Sequence, residues 1–432
     1  MKNRLLIHQG KLLSKLIQAA NLGNGSTWPG HMALSVNKNF IKDLLKNSKT
    51  KIIFIVGTNG KTTTTSLISH ILQASGKKVI QNTSGANLLN GIASTLLLNA
   101  SSGSKIDADY LLFEIDESAF PLACKELTPD GIVMLNLFRD QLDRYGEVNT
   151  IALKWQEALS HLPTSTQLFL NADDPQIAFL GKHSRLHELY FGLDEKGIKS
   201  SKIDHSSDST FCPNCGEKLT YTKKYYSHLG MWSCPSCQLT HPTHMLTTSP
   251  IYPLDGLYNK YNTHAAVVVA TFFGISNDDI KNSLQTFVPV FGRQEKIEFE
   301  GKNIEIILAK NPAGMDQALQ TVLDKNAKNV LFVLNDHIAD GTDVSWIWDI
   351  DVEKLTNDPQ ITLSLSGSRV YDLALRFKYA DLDMDKIITD PSLSSVLQKA
   401  IKQIKNDETL YILATYTAML EIRKLLTGKK IL

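Results

Sequence analysis

Long apolar runs are absent from this sequence, and their absence argues against an integral membrane protein. No hydrophobic stretch approaches the length of about 18 residues that a membrane-spanning helix requires. Near the N-terminus, Gln9, Gly10 and Lys11 interrupt the apolar residues that a signal peptide would need, so we expect none. We therefore expect a cytoplasmic protein.

The sequence also has almost no net charge and few cysteines. Basic residues number 45 and acidic residues 44, so the net charge of +1 gives no electrostatic argument for binding nucleic acid or an anionic membrane. There are five cysteines, and four of them form two CxxC pairs. Without signs of export, this pattern favours a metal site over disulfides. The length of 432 residues predicts two or three domains.

The most informative stretch is a strand, a glycine-bounded turn and a helix. Ile52 to Val56 is an apolar run typical of a buried parallel strand, and Thr62 to Ala74 is predicted as a helix. The turn between them would direct backbone N–H groups at anionic oxygens. Seven residues are therefore candidates for nucleotide binding: Gly57, Thr58, Asn59, Gly60, Lys61, Thr62 and Thr63.

Two residues of this loop have specific predicted roles. Lys61 would reach the β- and γ-phosphates of a nucleotide, and the Thr62 hydroxyl would bind Mg²⁺. The spacing departs from the usual pattern, because Ile55 stands where the first glycine is expected. The competing interpretation is an ordinary strand-to-helix turn with a surface lysine.

The segment Leu111 to Glu117 has the pattern of a strand that runs into acidic residues, which are Glu114, Asp116 and Glu117. Carboxylates at the carboxyl end of a parallel strand are well placed to hold Mg²⁺ beside a phosphate loop. Glu114 and Asp116 share one face of the strand and Glu117 does not, so the pattern leaves the ligand open. Solvated charges at a strand end are the alternative.

Further strands alternate with helices, which predicts a doubly wound α/β sheet. We expect an N-terminal helical segment over 1–45, a central domain over 46–295 and a C-terminal Rossmann-like α/β domain over 296–432. Residues 1–20 have the pattern of an amphipathic helix, which we expect to pack on the main domain rather than lie on a membrane surface.

The cysteine pairs lie within the central domain, in a predicted insertion over 200–248. They are Cys212, Cys215, Cys234 and Cys237, with 18 residues between the pairs. Two CxxC knuckles at this spacing predict a zinc ribbon. Four thiolates leave no open position on the metal, so the predicted Zn²⁺ is structural rather than catalytic.

These motifs together resemble the Mur ligase superfamily. The match runs through the phosphate loop, the acidic strand end and three further segments, which are Asn171–Pro175, Asn259–Ala265 and Gly292–Arg293. The cysteine insertion, the segment 310–314 and the segment 339–349 resemble more narrowly the MurT family. Its members are ligase-like subunits of lipid II isoglutaminyl synthases and work with a glutaminase subunit, GatD.

The resemblance implies a reaction and several site residues. It implies ATP in the central domain, with Asn171 and Asn262 near the adenine and Arg293 near the phosphates. Glu114 and Glu117 would serve the chemistry beside Mg²⁺. The α-carboxylate of D-glutamate in the stem peptide of lipid II would attack the γ-phosphate, and ammonia would displace phosphate from the resulting acyl phosphate. The product is D-isoglutamine, made at the inner face of the cell membrane.

Two motifs depart from those of ordinary Mur ligases. The usual Asp-His-Leu-Asp reads Asp140-Gln141-Leu142-Asp143, which puts a second Mg²⁺ in doubt. The usual Asp-Tyr-Ala-His-Asn-Pro reads Ile307-Leu308-Ala309-Lys310-Asn311-Pro312, so that Ile307 replaces the acid and Lys310 replaces the histidine. Those two residues are associated with the incoming amino acid, so their loss agrees with ammonia as the nucleophile.

Ammonia requires a source, and this chain offers no obvious glutaminase nucleophile. Cys124, the only cysteine outside the two pairs, stands in an apolar helical context and is interpreted as a core residue. A GatD-like glutaminase partner is therefore implied, or free ammonia is used. By the same resemblance, an aspartate of this chain completes the partner's Cys-His pair. Asp343 is the first candidate and Asp349 the alternative, although Asp343 could simply cap the next helix.

Two other functions compete with this one. A self-sufficient ligase that adds an amino acid, of the folylpolyglutamate or Mur type, is disfavoured by the altered segment at Lys310. A non-ligase ATPase that binds nucleic acid through the ribbon is disfavoured by the neutral charge and by the lack of a basic, aromatic strip around the cysteines.

Overall fold

The computed structural model describes residues 2–19, 26–46, 48–82, 85–139, 148–194, 207–289, 292–357, 360–405 and 408–428. Three helices precede the first strand, namely α1 (Lys2–Ala19), α2 (Trp28–Val36) and α3 (Phe40–Leu45). Leu6 and Ile7 of α1 are buried in a core shared with the central sheet. The predicted amphipathic helix is confirmed, and the side that carries Leu6 and Ile7 packs on the main domain.

The central sheet has seven strands, and every pairing in it is parallel. In spatial order they are β2 (Val79–Gln81), β3 (Tyr110–Glu114), β1 (Lys51–Val56), β4 (Gly131–Met134), β5 (Gln167–Asn171), β6 (His187–Phe191) and β9 (Met245–Leu246). After β1 the chain forms β2 and β3 on one side of it and then β4, β5 and β6 on the other, so the carboxyl end of β1 lies where the strand order reverses. Ligands bind at such switch points in open α/β sheets.

Helices cover both faces of this sheet, which confirms the doubly wound prediction. They are α4 (Lys61–Ala74), α5 (Leu89–Asn99), α6 (Phe120–Glu126), α7 (Val148–Ser160), α8 (Pro175–Lys182), α9 (Leu257–Phe272) and α10 (Asn277–Gln285). Successive strand residues alternate between two cores, as a period of two requires. Phe54 and Val56 pack in one core, and Ile53 and Ile55 pack in the other.

The predicted insertion contains a hairpin of β7 (Thr220–Tyr226) and β8 (Leu229–Ser233). Its tip is not a separate module. Tyr225, Tyr226 and Leu229 are buried in the second core of the central domain. The chain then returns to the edge of the central sheet as β9, so the insertion is bonded into the domain that carries it.

A second, six-stranded sheet forms the C-terminal part. Its order is β10 (Arg293–Phe299), β11 (Lys302–Leu308), β15 (Thr409–Ala414), β12 (Asn329–Val333), β13 (Thr362–Ser366) and β14 (Ile388–Thr389). Only the β10–β11 pairing is antiparallel. The predicted second α/β unit is confirmed. The predicted boundary at residue 295 falls inside β10, and the domain limits remain predictions.

Four α-helices and three short 3₁₀ helices accompany this sheet in the described residues. The α-helices are α11 (Pro312–Asp324), α12 (Val370–Tyr379), α13 (Leu393–Gln403) and α14 (Tyr416–Thr427), and the 3₁₀ helices are Ser345–Asp349, Val352–Asn357 and Met384–Lys386. One hydrophobic core lies on each side of the sheet. No helix in the described ranges combines the length and the apolarity needed to cross a bilayer.

Candidate nucleotide-binding site

The predicted phosphate loop lies between the end of β1 and the start of α4. Gly57 and Gly60 both adopt positive φ, at 140° and 90°, which side chains rarely tolerate. A Cβ added to Gly60 would lie 2.2 Å from Oδ1 of Asn262. Glycine is therefore required at Gly60 by backbone angle and by space at once.

Lys61 is buried at the first position of α4. Its Nζ donates hydrogen bonds to the carbonyls of Gly57 and Thr58, and it lies 3.1 Å from Oε2 of Glu117. The two side chains of this ion pair are only 8% and 4% exposed. Removing one partner of a buried pair costs about 3–5 kcal/mol, because the other charge is left uncompensated. Lys61 is thus held by the protein, with its cation inside the loop.

The adjacent hydroxyl contacts a different carboxylate. Thr62 Oγ1 donates to Oε2 of Glu114 at 2.8 Å. Asp116 instead accepts from the N–H and the hydroxyl of Ser118, at 3.0 and 2.7 Å, and shapes the turn after β3. The three acidic residues therefore contact different groups, and Glu114 is the carboxylate next to the predicted Mg²⁺ position.

A cavity of about 450 Å³ opens in front of this loop, between the central and C-terminal sheets. It is lined by the loop itself and by residues from both sheets, which include Glu114, Tyr258, Arg293, Lys310 and Tyr416. Burial lowers the pKa of the Arg293 guanidinium from its ordinary value, and the charge of Glu114 opposes this shift. Arg293 and the loop share one cavity, as the phosphate role predicted for Arg293 requires.

The loop is also bonded directly to the C-terminal domain. Asn59 and Asn311 exchange amide hydrogen bonds of 3.2 and 3.0 Å. Asn311 at the same time caps α11 by accepting the N–H of Gly314 at 2.8 Å. Sequence reasoning missed this contact, although the pattern Asn311-Pro312 is a recognisable helix start.

The two asparagines expected near an adenine ring lie in different places. Asn262 supports the phosphate loop, since Thr64 Oγ1 donates to its Oδ1 at 3.2 Å. Asn171 is fully buried, donates to the carbonyl of Leu135 at 2.8 Å and does not line the cavity. An adenine contact of Asn171 therefore receives no support from its surroundings and stays a prediction.

The residues after Asn171 hold the cysteine insertion, a role the sequence did not indicate. Asp173 accepts hydrogen bonds from Tyr261 Oη at 2.6 Å and lies 2.6 Å from Nε2 of His241. Asp174 caps α8 and lies 3.3 Å from Nε2 of His228. The capping role of Asp174 before Pro175 was readable from the sequence, but its long-range partner was not.

The four paired cysteines converge as the spacing predicted. Their Sγ atoms all lie within 4.8 Å of one another. Cys212 and Cys237 are 3.6 Å apart, and Cys215 and Cys234 are 3.5 Å apart. Cys124 packs against the first core instead, and burial raises the pKa of its thiol to about 12. The prediction that Cys124 is a core residue rather than a nucleophile is consistent with that environment.

Asp343 lies two residues before the 3₁₀ helix Ser345–Asp349 and Asp349 is its last residue, and neither lines the cavity. The N–H of Ser345 donates to Oδ1 of Asp343 at 2.8 Å and lowers the pKa of that exposed carboxyl. Asp349 lies 3.3 Å from Nη1 of Arg139. Asp343 therefore has the capping contact named as its alternative role, and it keeps an exposed carboxylate. The segment 140–143, with Gln141, lies outside the described residues.

Comparison with known families agrees with this geometry. The family model of the Mur ligase middle domain matches residues 55–270, and that of the MurT ligase C-terminal region matches residues 308–419. The chain is 35% identical over 433 residues to the lipid II isoglutaminyl synthase (glutamine-hydrolyzing) subunit MurT of Streptococcus pneumoniae, covering 95% of this chain and 94% of that one. The corresponding subunit of Staphylococcus aureus is 34% identical over 405 residues, covering 90% of each.

Solved structures with the same fold are more distant in sequence. A pseudomurein peptide ligase type C from Methanothermus fervidus superposes with a TM-score of 0.65 at 23% identity, covering 90% of this chain and 81% of that one. Folylpolyglutamate synthase of Mycobacterium tuberculosis, complexed with ADP and AMPPCP, gives 0.62 at 15% identity, covering 97% and 99%. At these identities the likeness establishes the fold alone.

The lack of space for a side chain at Gly60 gives a direct test of the loop. We expect Gly60→Ala to weaken binding of an ATP analogue at least tenfold, because the new methyl group collides with Asn262. Gly76→Ala is the matched control, since Gly76 has φ of 79° but open space around it. It should cost about 1 kcal/mol of stability and leave binding unchanged. Calorimetric titration measures the binding of the analogue by both variants. Equal binding by the two variants would contradict the assignment.

Proposed function

Because the chain belongs to the MurT family within the Mur ligase superfamily, we propose that it is the ligase subunit of a lipid II isoglutaminyl synthase. In this role it uses ATP to convert the α-carboxylate of D-glutamate in the lipid II stem peptide to an amide. The observation that carries the proposal is the pairing of Lys61 and Thr62 with two different carboxylates at the N-terminus of α4, inside a cavity shared by both domains.

The residues of the cavity fit a nucleotide with Mg²⁺. The N-terminus of α4 offers N–H groups and a partial positive charge, which favour phosphate oxygens. Lys61 and Arg293 add two cations to the same cavity. Thr62 Oγ1 and Glu114 Oε2 are oxygen ligands of the kind that Mg²⁺ prefers, and they lie side by side. Bound Mg²⁺ would neutralise charge on the β- and γ-phosphates.

The chemistry makes a poor electrophile reactive. An oxygen of the substrate carboxylate attacks the γ-phosphorus, and the bond to the β-γ bridging oxygen breaks, which yields an acyl phosphate and ADP. Ammonia then adds to the acyl carbon, phosphate leaves, and a proton is lost as the amide forms. Lys61 and Arg293 contribute by holding and neutralising the transferred group, and such positioning is the main source of catalysis in phosphoryl transfer.

The cavity also supports ammonia as the nucleophile. Lys310 lines it at the place where the resemblance expects a histidine for the incoming amino acid. A lysine carries no acceptor for the ammonium group of an amino acid. This feature disfavours the alternative of a self-sufficient amino-acid ligase.

A glutaminase subunit of the GatD type would supply the ammonia, and the reaction would take place at the inner face of the cell membrane. A glutaminase needs a cysteine, a base and a third group that orients the base. We propose that this chain provides the third group, with Asp343 as the first candidate and Asp349 as the alternative. Asp343 is exposed and the pKa of its carboxyl is lowered by the N–H of Ser345, so an ionised carboxylate is available to a partner.

We also propose that the four cysteines hold one structural Zn²⁺. A tetrahedral site with Zn–S bonds of about 2.3 Å places its sulfur atoms about 3.8 Å apart. The two sulfur pairs at 3.5 and 3.6 Å fit that size. The metal would stabilise the base of the hairpin whose tip supplies Tyr226 to the cavity wall.

The lysine of the loop tests the proposed reaction. Lys61→Met should lower ammonium-dependent amidation of lipid II by at least about a hundredfold, because it removes a cation from the transferred phosphoryl group. Lys51→Met is the control, since Lys51 lies in the same segment with an exposed ion pair to Asp130. Thr62→Val, which keeps the charge of the loop, should also lose most of the rate. Full activity in Lys61→Met, measured as amidated product by mass spectrometry, would refute the proposal.

The aspartates are tested by comparing two nitrogen sources. Asp343→Asn retains an acceptor for the N–H of Ser345, so the turn should be preserved. We expect this variant, with the glutaminase subunit present, to lose glutamine-dependent amidation by at least about a hundredfold while its ammonium-dependent rate is unchanged. Asp349→Asn should retain both rates. Selective loss in Asp349→Asn would move the role to Asp349, and no selective loss in either variant would remove it from this segment.

Metal analysis tests the cysteine site. Protein purified without chelators should contain one zinc per chain by plasma mass spectrometry. Cys212→Ser/Cys234→Ser should lose the metal and lower Tm by about 5 °C or more, since structural zinc contributes folding free energy. Cys124→Ser, the control outside the cluster, should keep it. Another metal, or equal zinc in both variants, would contradict the site.

A further inference from the structure

Helix α1 is covered by protein on one side only. Leu6 and Ile7 are buried in the first core. Gly10 lies so close to α5 that an added Cβ would stand 2.6 Å from Cδ1 of Leu97. This side fixes the helix firmly on the central domain.

The other side of α1 carries an exposed row of leucines. Leu5, Leu12 and Leu16 are 60%, 58% and 58% exposed. Their spacing of seven and four residues places them on one helical face, opposite the face that contains Leu6 and Gly10. Exposed leucines at such a spacing, on a helix already anchored by its other side, form an apolar stripe that the exposed His8 and Gln9 interrupt between Leu5 and Leu12.

The charge of α1 has a single sign. The helix contains Lys2, Arg4, Lys11 and Lys15 and no acidic residue. Arg4 and Lys15 are exposed, and within the described ranges no carboxylate pairs with them. At 100° per residue, Arg4 and Lys15 lie together along one border of the leucine stripe. The net charge of the whole chain is only +1, so this basic surface is local.

We propose that the outer face of α1, defined by Leu5, Leu12, Leu16, Arg4 and Lys15, docks the protein on an anionic lipid bilayer. Leucines that enter the headgroup region beside basic residues that contact anionic lipids are the pattern of interfacial helices. Trp28 at the start of the neighbouring helix α2 is also 64% exposed, and tryptophan favours the bilayer interface.

A second copy of the chain fits this face less well. A two-fold contact would bring the same helix of each protomer together. Both helices are purely basic, so their charges would repel each other across the interface. An anionic bilayer complements the face in charge as well as in apolarity.

Helix α1 is connected to the cavity through α2. Ser26, two residues before α2 begins, lines the cavity, and α2 packs against α1. This inference rests on the proposed function, because a lipid-linked substrate gives the docking its purpose. A docked α1 would hold the protein at the bilayer in which that substrate is embedded.

Vesicle sedimentation of the full chain tests the docking itself. With neither lipid II nor nucleotide present, the protein should bind phosphatidylglycerol vesicles, bind phosphatidylcholine vesicles far less, and release in high salt. Leu5→Gln/Leu12→Gln/Leu16→Gln should weaken binding at least tenfold. Arg4→Gln/Lys15→Gln should weaken it by about fivefold for each charge removed. The matched control replaces three exposed leucines elsewhere, Leu122→Gln/Leu153→Gln/Leu425→Gln, and should bind like the wild type.

Two further readouts separate this inference from the proposed function and from a structural role of α1. The α1 leucine variant should amidate detergent-dispersed lipid II with ammonium at the wild-type rate and slow only with vesicle-embedded lipid II. Failure of the wild type to bind anionic vesicles would overturn the docking and leave the chemistry at Lys61 untouched. Equal slowing in detergent and vesicles, or a change of oligomeric state in light scattering, would also overturn it.

Discussion

The ion pair between Lys61 and Glu117 is the interaction on which the candidate site depends. A lysine is rarely buried without a partner, and here its ammonium is held by two loop carbonyls and one carboxylate. This arrangement keeps a full positive charge inside a loop that is otherwise made of backbone groups. A nucleotide phosphate has to compete with Glu117 for that charge, so the pair sets the electrostatic condition for binding.

The same loop also connects the central domain to the C-terminal domain. Its Asn59 exchanges hydrogen bonds with Asn311, which starts the first helix of the C-terminal domain. Arg293 enters the cavity from the first strand of that domain. A change of loop conformation on nucleotide binding would therefore act directly on the position of the second domain. Because both domains contribute to one cavity, the site depends on their being held together.

Local patterns allowed much of the architecture to be predicted. The apolar run of β1, the glycines after it and the helix that follows are adjacent in sequence, and their physics is local. The same holds for the paired cysteines, whose spacing alone predicts a cluster. The acidic residues at the end of β3 were recognised as a group, but their division between Thr62 and Lys61 was left open, since it depends on how the start of α4 is placed against the end of β3.

The contacts that the sequence did not indicate join distant segments. Asp173 and Asp174 were identified only as part of the matched segment Asn171–Pro175, whereas they contact histidines of the cysteine insertion more than 50 residues away. Asn171 is predicted to lie near the adenine, and the structure adds a hydrogen bond from its amide to the backbone carbonyl of Leu135 that the sequence did not indicate. Such roles depend on which loops meet in space, and no periodicity or spacing encodes that.

The most direct measurement of the central claim is a crystal structure of the chain with Mg²⁺ and a non-hydrolysable ATP analogue. The account predicts that the β- and γ-phosphates lie in the Gly57–Thr63 loop, with Lys61 Nζ moved from Glu117 to their oxygens and Mg²⁺ at Thr62 Oγ1. An analogue bound elsewhere, with the Lys61–Glu117 pair intact, would contradict it.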